Sequence, residues 1–600
     1  MQRFALLFLF LMGSFLTLQA QMEILEKDHD ITRKARKGYL GAIETNQANQ
    51  TFDLIYVLKS TNSKIITETY TFDKDLNMKN QVKEEEEVEK VRKKYKWFKY
   101  KGETYESKSV FVRSNMKSEM IFREKTVRFK WSWLRGGYAK KVILGDKVKP
   151  KDEETGARYM FRGGYYENDP EGYLLVCAGL RDGRDVNGSF LKYHILFVDQ
   201  EVNITRKDEI SFPFAKAPVF SEPLSDDDPS SNDDNPRDWV LIFAPYGGPG
   251  MNKVEGDPKA YTYCRYDYKG QLKEKFDFQV PVPGWRILGA FQKNGQVYLY
   301  GPGIEKDKHS NEIFKGPIIA NTSDEEGESK GKGLLGGIKS MAGGEASQIT
   351  QAEIDGRLDE LKYSHFEVGK LSNGKLEFLT APSISEINKA NVKPADQKKE
   401  IEFDGKRFIT TAIGVVAGDN IFVTGQDYKL DNFGGNKGTR LYKGLYLLQF
   451  GADGAYKRNY GVALDQKKYM GMFSKGLTPD MFPAYSSLFE SPDKKRIYWM
   501  ITMCKAIDTD TDIDNDYNYL TGIQTTTTTT SYTPLYSVQY GIINAANGTA
   551  TEFKTLGEDE KRKFYLMPGK NVLEMGNYVI YLSETLKGDK VLLSRFDLTK

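Results

Sequence analysis

The feature that most constrains the fold of this chain is a pair of strand patterns that returns seven times. The first pattern is a continuous apolar, β-branched and aromatic run, such as "DWVLIFAPYG" (238–247) or "KRIYWMITM" (495–503). The second follows after a variable loop, alternates apolar with polar residues and ends at an Asp, Asn or Gly turn, as in "YTYCRYDYKGQLK" (261–273). Runs of this length and composition predict buried strands that are joined by hairpins.

Seven pairs at irregular spacing predict an all-β fold, a β-propeller of about seven blades with long inserted loops, over residues 21–600. A blade packs against a neighbour on each face, which explains why continuous apolar strands stand beside alternating ones. The last strand reaches the C-terminus, where a propeller often closes by pairing its terminal strands. Residues 96–150 add strands outside the pattern and are predicted to form an extra blade or an inserted sheet. Two packed β-sandwiches are the alternative architecture.

Two segments interrupt the strand pattern. Residues 81–94, "QVKEEEEVEKVRKK", are rich in charge and predict a short surface helix or a solvated loop. Residues 321–363 predict a Gly-rich loop followed by a short helix, since apolar residues recur at near-helical spacing over 347–363. The loop contains four apolar residues that are candidates for docking a partner or a membrane surface: Leu334, Leu335, Ile338 and Met341. A loop without fixed structure is the alternative for this segment.

The first twenty residues predict the compartment. Arg3 precedes an apolar run over residues 4–18, and "LQA" at 18–20 precedes a cleavage site, so residues 1–20 predict a secretory signal peptide. An N-terminal membrane anchor is the alternative, although the run is short for a spanning helix. We therefore expect an exported protein in the periplasm, at the outer-membrane surface or outside the cell, with no transmembrane segment in the mature chain.

Cysteine content and charge narrow the class further. The three cysteines, Cys177, Cys264 and Cys504, are an odd set without a Cys-x-x-Cys pair, which excludes a disulfide framework. So few cysteines in an exported chain favour a bacterial periplasm or surface. Lys and Arg number 86 against 83 Asp and Glu, so the net charge of +3 gives no reason to expect nucleic acid as a partner.

Motifs for hydrolytic chemistry are scarce. Neither Gly-x-Ser-x-Gly nor His-Glu-x-x-His occurs, and the chain has four histidines: His29, His194, His309 and His365. His194 and His365 lie on predicted strands, where a structural role is expected. Carboxylates for glycan hydrolysis are plentiful, but the sequence cannot place a pair at the required separation. The sequence thus assigns no catalytic residue and favours a protein that is not an enzyme.

One acidic stretch is a candidate metal site. "DTDTDIDND" places Asp508, Asp510, Asp512, Asp514 and Asp516 on alternate positions, and carboxylate oxygens are the ligands that Ca²⁺ prefers. On an extended strand these five side chains would share one side and repel one another unless a cation is present. An EF-hand is excluded, because its required Gly and Glu positions hold Ile513 and Tyr519. The alternative is a solvated, acidic hairpin tip without metal.

"SPDKKRIYW", residues 491–499, resembles the PD40-type (TolB-like, WD40-like) propeller repeat, in which Ser-Pro-Asp-Gly-Lys-Arg precedes an apolar strand. Lys494 stands where that pattern has Gly, and Trp499 replaces the last aromatic residue. The stretch is also one degenerate copy of an Asp-box, the turn found in sialidase-like enzymes. The PD40 resemblance implies a propeller that serves as a protein-interaction platform, although some such propellers belong to enzymes. The composition also looks like that of exported Bacteroidetes proteins.

Together these observations predict an exported, non-catalytic binding or scaffold protein that engages a protein or glycan partner. Two alternatives remain: a carbohydrate-active propeller hydrolase that uses Asp and Glu, and a surface adhesin stabilised by calcium. No cofactor other than calcium is expected.

Overall fold

The computed structural model describes residues 24–305 and 361–599, with internal gaps. The gaps fall at residues 62, 95–103, 116–118, 133–136, 149–158, 169–171, 181–191, 199–203, 214–215, 227–237, 246–259, 268, 283, 395–396, 398–399, 417–418, 434–435, 465–481, 519–522, 546, 558–562 and 568–570. The backbone alone is described for most of residues 104–180 and for residues 431–439 and 509–533.

The chain is all-β, and seven sheets of four to six strands follow one another along it. The first three sheets pair their strands in sequence order, apart from β14. Sheet 1 contains β2 (Tyr39–Asn46), β3 (Thr51–Ser60), β4 (Lys64–Asp73) and β5 (Met78–Glu87). Sheet 2 contains β9 (Tyr159–Asn168), β10 (Gly172–Leu180), β11 (Lys192–Val198) and β12 (Ile204–Ser211). Sheet 3 contains β13 (Lys216–Pro223), β15 (Trp239–Pro245), β16 (Ala260–Tyr266) and β17 (Leu272–Gln279).

The next three sheets also pair most of their strands in sequence order, but sheets 4 and 5 each add a short parallel strand, Ser225–Asp226 and Asn391–Val392 respectively. Sheet 4 contains β14 (Ser225–Asp226), β18 (Gly284–Trp285), β19 (Gly289–Lys293), β20 (Gln296–Ile304), β21 (His365–Ser372) and β22 (Lys375–Thr380). Sheet 5 contains β23 (Asn391–Val392), β24 (Phe408–Val416), β25 (Asn420–Phe433), β26 (Asn436–Phe450) and β27 (Tyr456–Ala463). Sheet 6 contains β28 (Tyr485–Glu490), β29 (Arg496–Asn518), β30 (Ile523–Asn544) and β31 (Lys554–Thr555).

Sheet 7 joins the two ends of the described chain. It contains β32 (Phe564–Leu566), β33 (Val572–Met575), β34 (Tyr578–Thr585), β35 (Lys590–Asp597) and the N-terminal strand β1 (Ile24–Asp30). β1 runs antiparallel to β35, with Ile24 opposite Phe596 and Asp30 opposite Lys590. The Glu26 carboxylate accepts a hydrogen bond from Ser594 Oγ at 2.8 Å, so a side-chain contact also links β1 to β35.

A separate three-stranded antiparallel sheet lies between sheets 1 and 2 in the sequence. It contains β6 (Thr104–Asn115), β7 (Glu119–Ser132) and β8 (Gly137–Val148). These strands account for the additional strand patterns at 96–150, and none of them pairs with a strand of the seven numbered sheets.

Inner strands of the numbered sheets, such as β15, bury both faces. In β15, Trp239 and Leu241 pack with side chains of sheet 2, whereas Val240 and Ile242 pack with those of sheet 4. Four consecutive apolar residues are therefore fully buried without alternation. Each such side chain contributes about 1.5–3 kcal/mol when it leaves water, so continuous apolar runs follow directly from two-sided packing.

Hydrophobic clusters link the sheets in sequence order. Separate clusters join sheet 2 to 3, 3 to 4, 4 to 5, 5 to 6 and 6 to 7. A further cluster joins sheet 7 back to sheet 1, with Leu582 and Leu593 against Leu54 and Tyr70. Each of sheets 3–7 therefore packs between two neighbours in this order.

Three short helices occur in the described residues. They are α1 (Arg33–Lys37), α2 (Val88–Lys94) and α3 (Ile384–Lys389). The prediction for residues 81–94 was half wrong, because residues 81–87 belong to β5 and only 88–94 are helical. The reason is tertiary: β4 offers a free edge, and its pairing with β5 satisfies backbone groups that an isolated charged segment would leave to water.

The end of the helix predicted for residues 347–363 is not helical. Residues 361–364 are irregular, and the rest of the segment lies outside the described residues. Leu361 and Tyr363 are buried in the cluster between sheets 3 and 4, so tertiary packing rather than helix formation places these two side chains. No helix in the described part of the chain is long and apolar enough to cross a membrane.

Candidate functional site

A cavity of about 630 Å³ opens at one edge of sheets 4 and 5. Its volume lies within the range of small-ligand pockets, about 300–1,000 Å³. Four short segments form its wall: the end of β20, residues 362–364, helix α3 and residues 402–404. The lining residues are Ile304, Glu305, Lys362, Tyr363, Ser364, Ile384, Ser385, Asn388, Glu402, Phe403 and Asp404.

Backbone hydrogen bonds hold the wall in place. Ser364 N donates to Gly303 O at 2.9 Å, and Tyr363 N donates to Gly405 O at 2.8 Å. The side chain of Asn388 forms two hydrogen bonds with the backbone of Phe403. Its Nδ2 donates to Phe403 O at 2.9 Å, and its Oδ1 accepts from Phe403 N at 3.0 Å. These hydrogen bonds therefore connect the segments of the wall to one another in the absence of a ligand.

Helix α3 is set by a capping box that the sequence encodes locally. Ser383 Oγ accepts from Glu386 N at 3.2 Å, and the Glu386 carboxylate accepts from Ser383 N at 2.8 Å. Such Ser-x-x-Glu pairs satisfy free backbone amides at a helix start. The sequence analysis did not identify this Ser-x-x-Glu motif, which could have predicted the start of helix α3 beside the cavity.

The floor of the cavity is apolar and aromatic. Ile304, Tyr363 and Phe403 are buried, with exposed fractions of 3%, 2% and 4%. The ring of Phe403 packs against Phe408 and Tyr446, with centroids 5.1 and 5.7 Å away. The hydroxyl of Tyr363 accepts a hydrogen bond from Arg286 Nη1 at 3.3 Å, so its polar end is satisfied behind the floor.

The rim of the cavity is charged, and its net charge is negative. Three carboxylates line it, and the lining ammonium group is that of Lys362. The three acids are Glu305, Glu402 and Asp404, and all are exposed to solvent. The rim therefore carries a surplus of two negative charges over the lining residues.

Asp404 is also one end of a charge network that reaches into sheet 5. Lys443 Nζ lies 3.4 Å from Asp404 Oδ2 and 2.7 Å from Asp427 Oδ2. Asp427 is buried, and its Oδ1 accepts from Gly444 N at 2.9 Å. Burial raises the pKa of Asp427 to about 6, although Lys443 pulls it in the opposite direction. Burial opposes a rise in the pKa of Lys443, but the two carboxylates raise it.

Two further ionisable side chains are buried away from the cavity. Glu367 in β21 is fully buried at the interface with sheet 3, and burial raises its pKa well above the usual range. Within the described chain neither of its carboxyl oxygens has a hydrogen-bond partner of normal geometry, although the backbone amide of Val282 is near enough to oppose the rise slightly. Lys216 is buried beside Asp277, 3.2 Å away.

The predicted metal ligands lie on β29. Register places Asp508, Asp510, Asp512, Asp514 and Asp516 opposite Thr533, Ser531, Thr529, Thr527 and Thr525 of β30. Alternate positions of a strand share a face, so the backbone agrees with the predicted arrangement. Asp508 is exposed, while the other four side chains lie outside the description. The calcium site thus stays a prediction.

Other predicted residues are dispersed or outside the description. The candidate docking residues, Leu334, Leu335, Ile338 and Met341, lie in residues 306–360, outside the described chain. The histidines that are described, His29, His194 and His365, belong to sheets 7, 2 and 4. Across the described residues, no group of three or more His, Cys, Asp or Glu side chains could hold a metal. Cys264 and Cys504 are buried and unpaired, and burial raises the pKa of the Cys264 thiol to about 12.

Comparisons with known proteins assign no family. No family model matches the chain, and no curated protein matches it. Among solved structures, a lignostilbene dioxygenase of Pseudomonas brassicacearum is similar at 10% identity and a TM-score of 0.28, covering 82% of this chain and 86% of that one. The polysaccharide lyase Uly1 has 9% identity and a TM-score of 0.24, with 93% and 90% covered.

A protein from Lactobacillus plantarum has 9% identity and a TM-score of 0.22, with 78% of this chain and 96% of that chain covered. TM-scores this low carry no argument about what this chain does. Its function must therefore be argued from its own residues.

Proposed function

We propose that the chain is a seven-bladed β-propeller that is exported and binds a protein or glycan partner without chemical turnover. Each of sheets 1–7 would be one blade, and the 104–148 sheet would be an insertion between the first and second blades. The serial packing of the sheets and the pairing of β1 with β35 support this architecture. The turn at Ser491 supports a relationship to PD40-type repeats.

The cavity between sheets 4 and 5 carries the binding proposal. It joins an apolar floor to a polar rim, which is the usual composition of a ligand site. Asn388, which lines the cavity, is already held by two hydrogen bonds to Phe403, so its side chain needs little ordering on binding. Export is supported by residues 1–20 alone, and N-terminal sequencing of the mature protein is expected to begin at Gln21.

The binding proposal is tested by filling the cavity. Ser385 is exposed and lines the cavity, so Ser385→Trp would occupy it with little cost to folding. Lys389→Trp, at an exposed position of the same helix that does not line the cavity, is the matched control. A panel of neutral oligosaccharides and short peptides is screened by calorimetry. We expect at least one to bind the wild type and the control, and at least about tenfold more weakly to Ser385→Trp.

A panel with no cavity-dependent binder would overturn this proposal. So would cleavage of any bound glycan, detected as new reducing ends. Cleavage is the prediction of a second candidate, a glycan hydrolase, which is favoured by the presence of three carboxylates around one cavity. That candidate further predicts that Glu305→Gln or Glu402→Gln abolishes cleavage while binding persists.

A calcium-stabilised adhesin is the third candidate. It is favoured by the register of β29 and β30, which gives five aspartates opposite five hydroxyl residues over one long hairpin. Its test belongs to that hairpin and is described in the Discussion.

A further inference from the structure

We propose that the cavity between sheets 4 and 5 receives a cationic side chain, the ammonium or guanidinium group of a Lys or Arg on a protein partner. This inference rests on the binding function proposed above and selects a protein partner over a neutral glycan.

The charge of the rim is the first argument. Glu305, Glu402 and Asp404 face one cavity, and the ammonium of Lys362 offsets one of these charges. A cation that enters would form charge-assisted hydrogen bonds, which are about twice as strong as neutral ones. A neutral sugar would gain no such advantage, and an anion would be repelled.

The shape and polarity of the wall are the second argument. Lys and Arg side chains carry an apolar stem and a charged end, and they bury the stem along apolar surface while the head stays polar. The floor of Ile304, Tyr363 and Phe403 matches the stem, and the exposed carboxylates at the rim match the head. The cavity thus presents both features within a single pocket.

The network behind Asp404 is the third argument, because it keeps the rim acidic. Lys443 would neutralise Asp404 if it had no other partner, but its ammonium lies closer to Asp427, at 2.7 Å against 3.4 Å. Asp404 therefore keeps much of its charge for a ligand. The charged and titratable groups near Asp427 are Lys443 and Tyr446 on β26 and Asp404 in the preceding loop, with Glu402 next to Tyr446.

Protonation of Asp427 should weaken this arrangement. The pKa of Asp427 lies at about 6, so below that pH Lys443 is left with Asp404 as its charged partner. Affinity for a cation is therefore expected to fall as the pH drops from about 7.5 to about 5.5.

The experiment uses three peptides that differ at one position: acetyl-Gly-Lys-Gly-amide, the Arg analogue and the neutral Gln analogue. Affinities for the full chain are measured by calorimetry at low ionic strength. We expect the Lys and Arg peptides to bind at least about tenfold more tightly than the Gln peptide, and salt to reduce this preference. The double variant Glu402→Gln/Asp404→Asn should lose the preference, and Glu305→Gln should weaken it.

Glu377→Gln is the control, since Glu377 is an exposed carboxylate of sheet 4 outside the cavity. All the substituted carboxylates are exposed, so folding should persist, and circular dichroism checks it. Equal binding of the Gln peptide overturns the inference. If a neutral sugar binds, Ser385→Trp blocks that binding and no peptide binds, the proposed binding function holds but the inference of a cationic ligand is rejected. If no ligand binds in a manner that depends on the cavity, both the proposed binding function and the inference of a cationic ligand are rejected.

Discussion

Lys494 holds a left-handed backbone conformation in the turn that begins β29, with φ at 58°. Ser491 Oγ accepts from Arg496 N at 2.9 Å, and Asp493 Oδ1 accepts from Lys495 N at 3.1 Å. These bonds keep the turn closed although its fourth position, Lys494, carries a Cβ. Non-glycine residues reach this region at a cost of about 1–2 kcal/mol. Lys494 therefore bears strain that the Gly of PD40-type repeats avoids.

Lys494→Gly should stabilise the protein by about 0.5–1 kcal/mol, since relief of strain exceeds the entropy gained by the unfolded chain. The urea midpoint, followed by tryptophan fluorescence, measures the change. Lys495→Gly is the control, because Lys495 does not share the positive φ, and it should lower the midpoint instead. A lower midpoint for both variants would contradict the strain argument.

Glu367 makes stability depend on pH through a raised pKa. A carboxyl with a raised folded-state pKa stabilises the fold below its unfolded-state pKa, near 4.5, and this contribution is lost as the pH rises through the folded value. Gly303 contributes to the burial, since any Cβ there would lie 2.3 Å from Glu367 Oε1. The space for the carboxyl exists because residue 303 has no side chain.

Glu367→Gln should remove that pH dependence. The variant is expected to gain stability relative to wild type between about pH 5 and pH 8, by more than about 1.4 kcal/mol, the value of one pKa unit. Urea denaturation at both pH values measures the gain. Glu377→Gln is the control: the hydrogen bond from Lys370 lowers the pKa of Glu377, so its contribution changes only at more acidic pH. A gain that does not grow with pH would rule out a protonated Glu367.

At the scale of elements, the hairpin of β29 and β30 extends well beyond its sheet. β28 pairs with β29 from residue 497 to 502, whereas β30 accompanies β29 as far as residue 518. The outer part is thus a two-stranded ribbon, an arrangement that is weak in water without further support. Five aspartates lie on one strand of this ribbon, and we propose that a bound cation would supply that support.

Calcium should therefore raise the melting temperature of the full chain, and EDTA should lower it. Asp510→Asn/Asp512→Asn/Asp514→Asn should abolish the calcium effect, because three of the five oxygen-donor carboxylates are neutralised. Differential scanning calorimetry measures both shifts. Glu84→Asn/Glu87→Asn in β5 is the control, since both acids are exposed on another edge strand. No change with calcium or EDTA would remove the calcium site and the adhesin candidate.

At the scale of the whole molecule, β1 completes sheet 7 and covers the edge of β35. Lys590 Nζ pairs with Asp28 at 2.6 Å, and Leu25 packs in the cluster that joins sheets 7 and 1. The N-terminal strand thus joins the two ends of the described chain in one sheet. The proposed propeller would close through this pairing.

A chain that begins at residue 31 should lose this closure and leave the β35 edge unpaired, whereas one that begins at residue 24 should be as stable as the mature protein. We expect a loss of about 2 kcal/mol or more from Ile24 and Leu25 alone, together with self-association through the free edge. Thermal denaturation and light scattering compare the two chains. Equal stability of both would contradict a structural role for β1.

Local patterns were sufficient for part of this architecture. The strand patterns at 238–247 and 495–503 could be recognised because packing on both faces demands continuous apolar residues, and the sheets bury residues 239–244 and 497–501. The turn at 491–496 was readable because Ser491 and Asp493 bond to nearby backbone amides. The five aspartates of β29 were found by their spacing alone.

The sequence by itself determined that this is an all-β chain with strands buried on both faces, since strand periodicity and turn residues act over a few positions. Only the tertiary structure decided the rest. Residues 81–87 became a strand because β4 supplied an edge, and Glu305, Glu402 and Asp404 came to share one cavity from separate loops. The burial that raises the pKa of Asp427 and Glu367 likewise comes from strands distant in sequence. Long-range packing sets these features, and no local pattern encodes it.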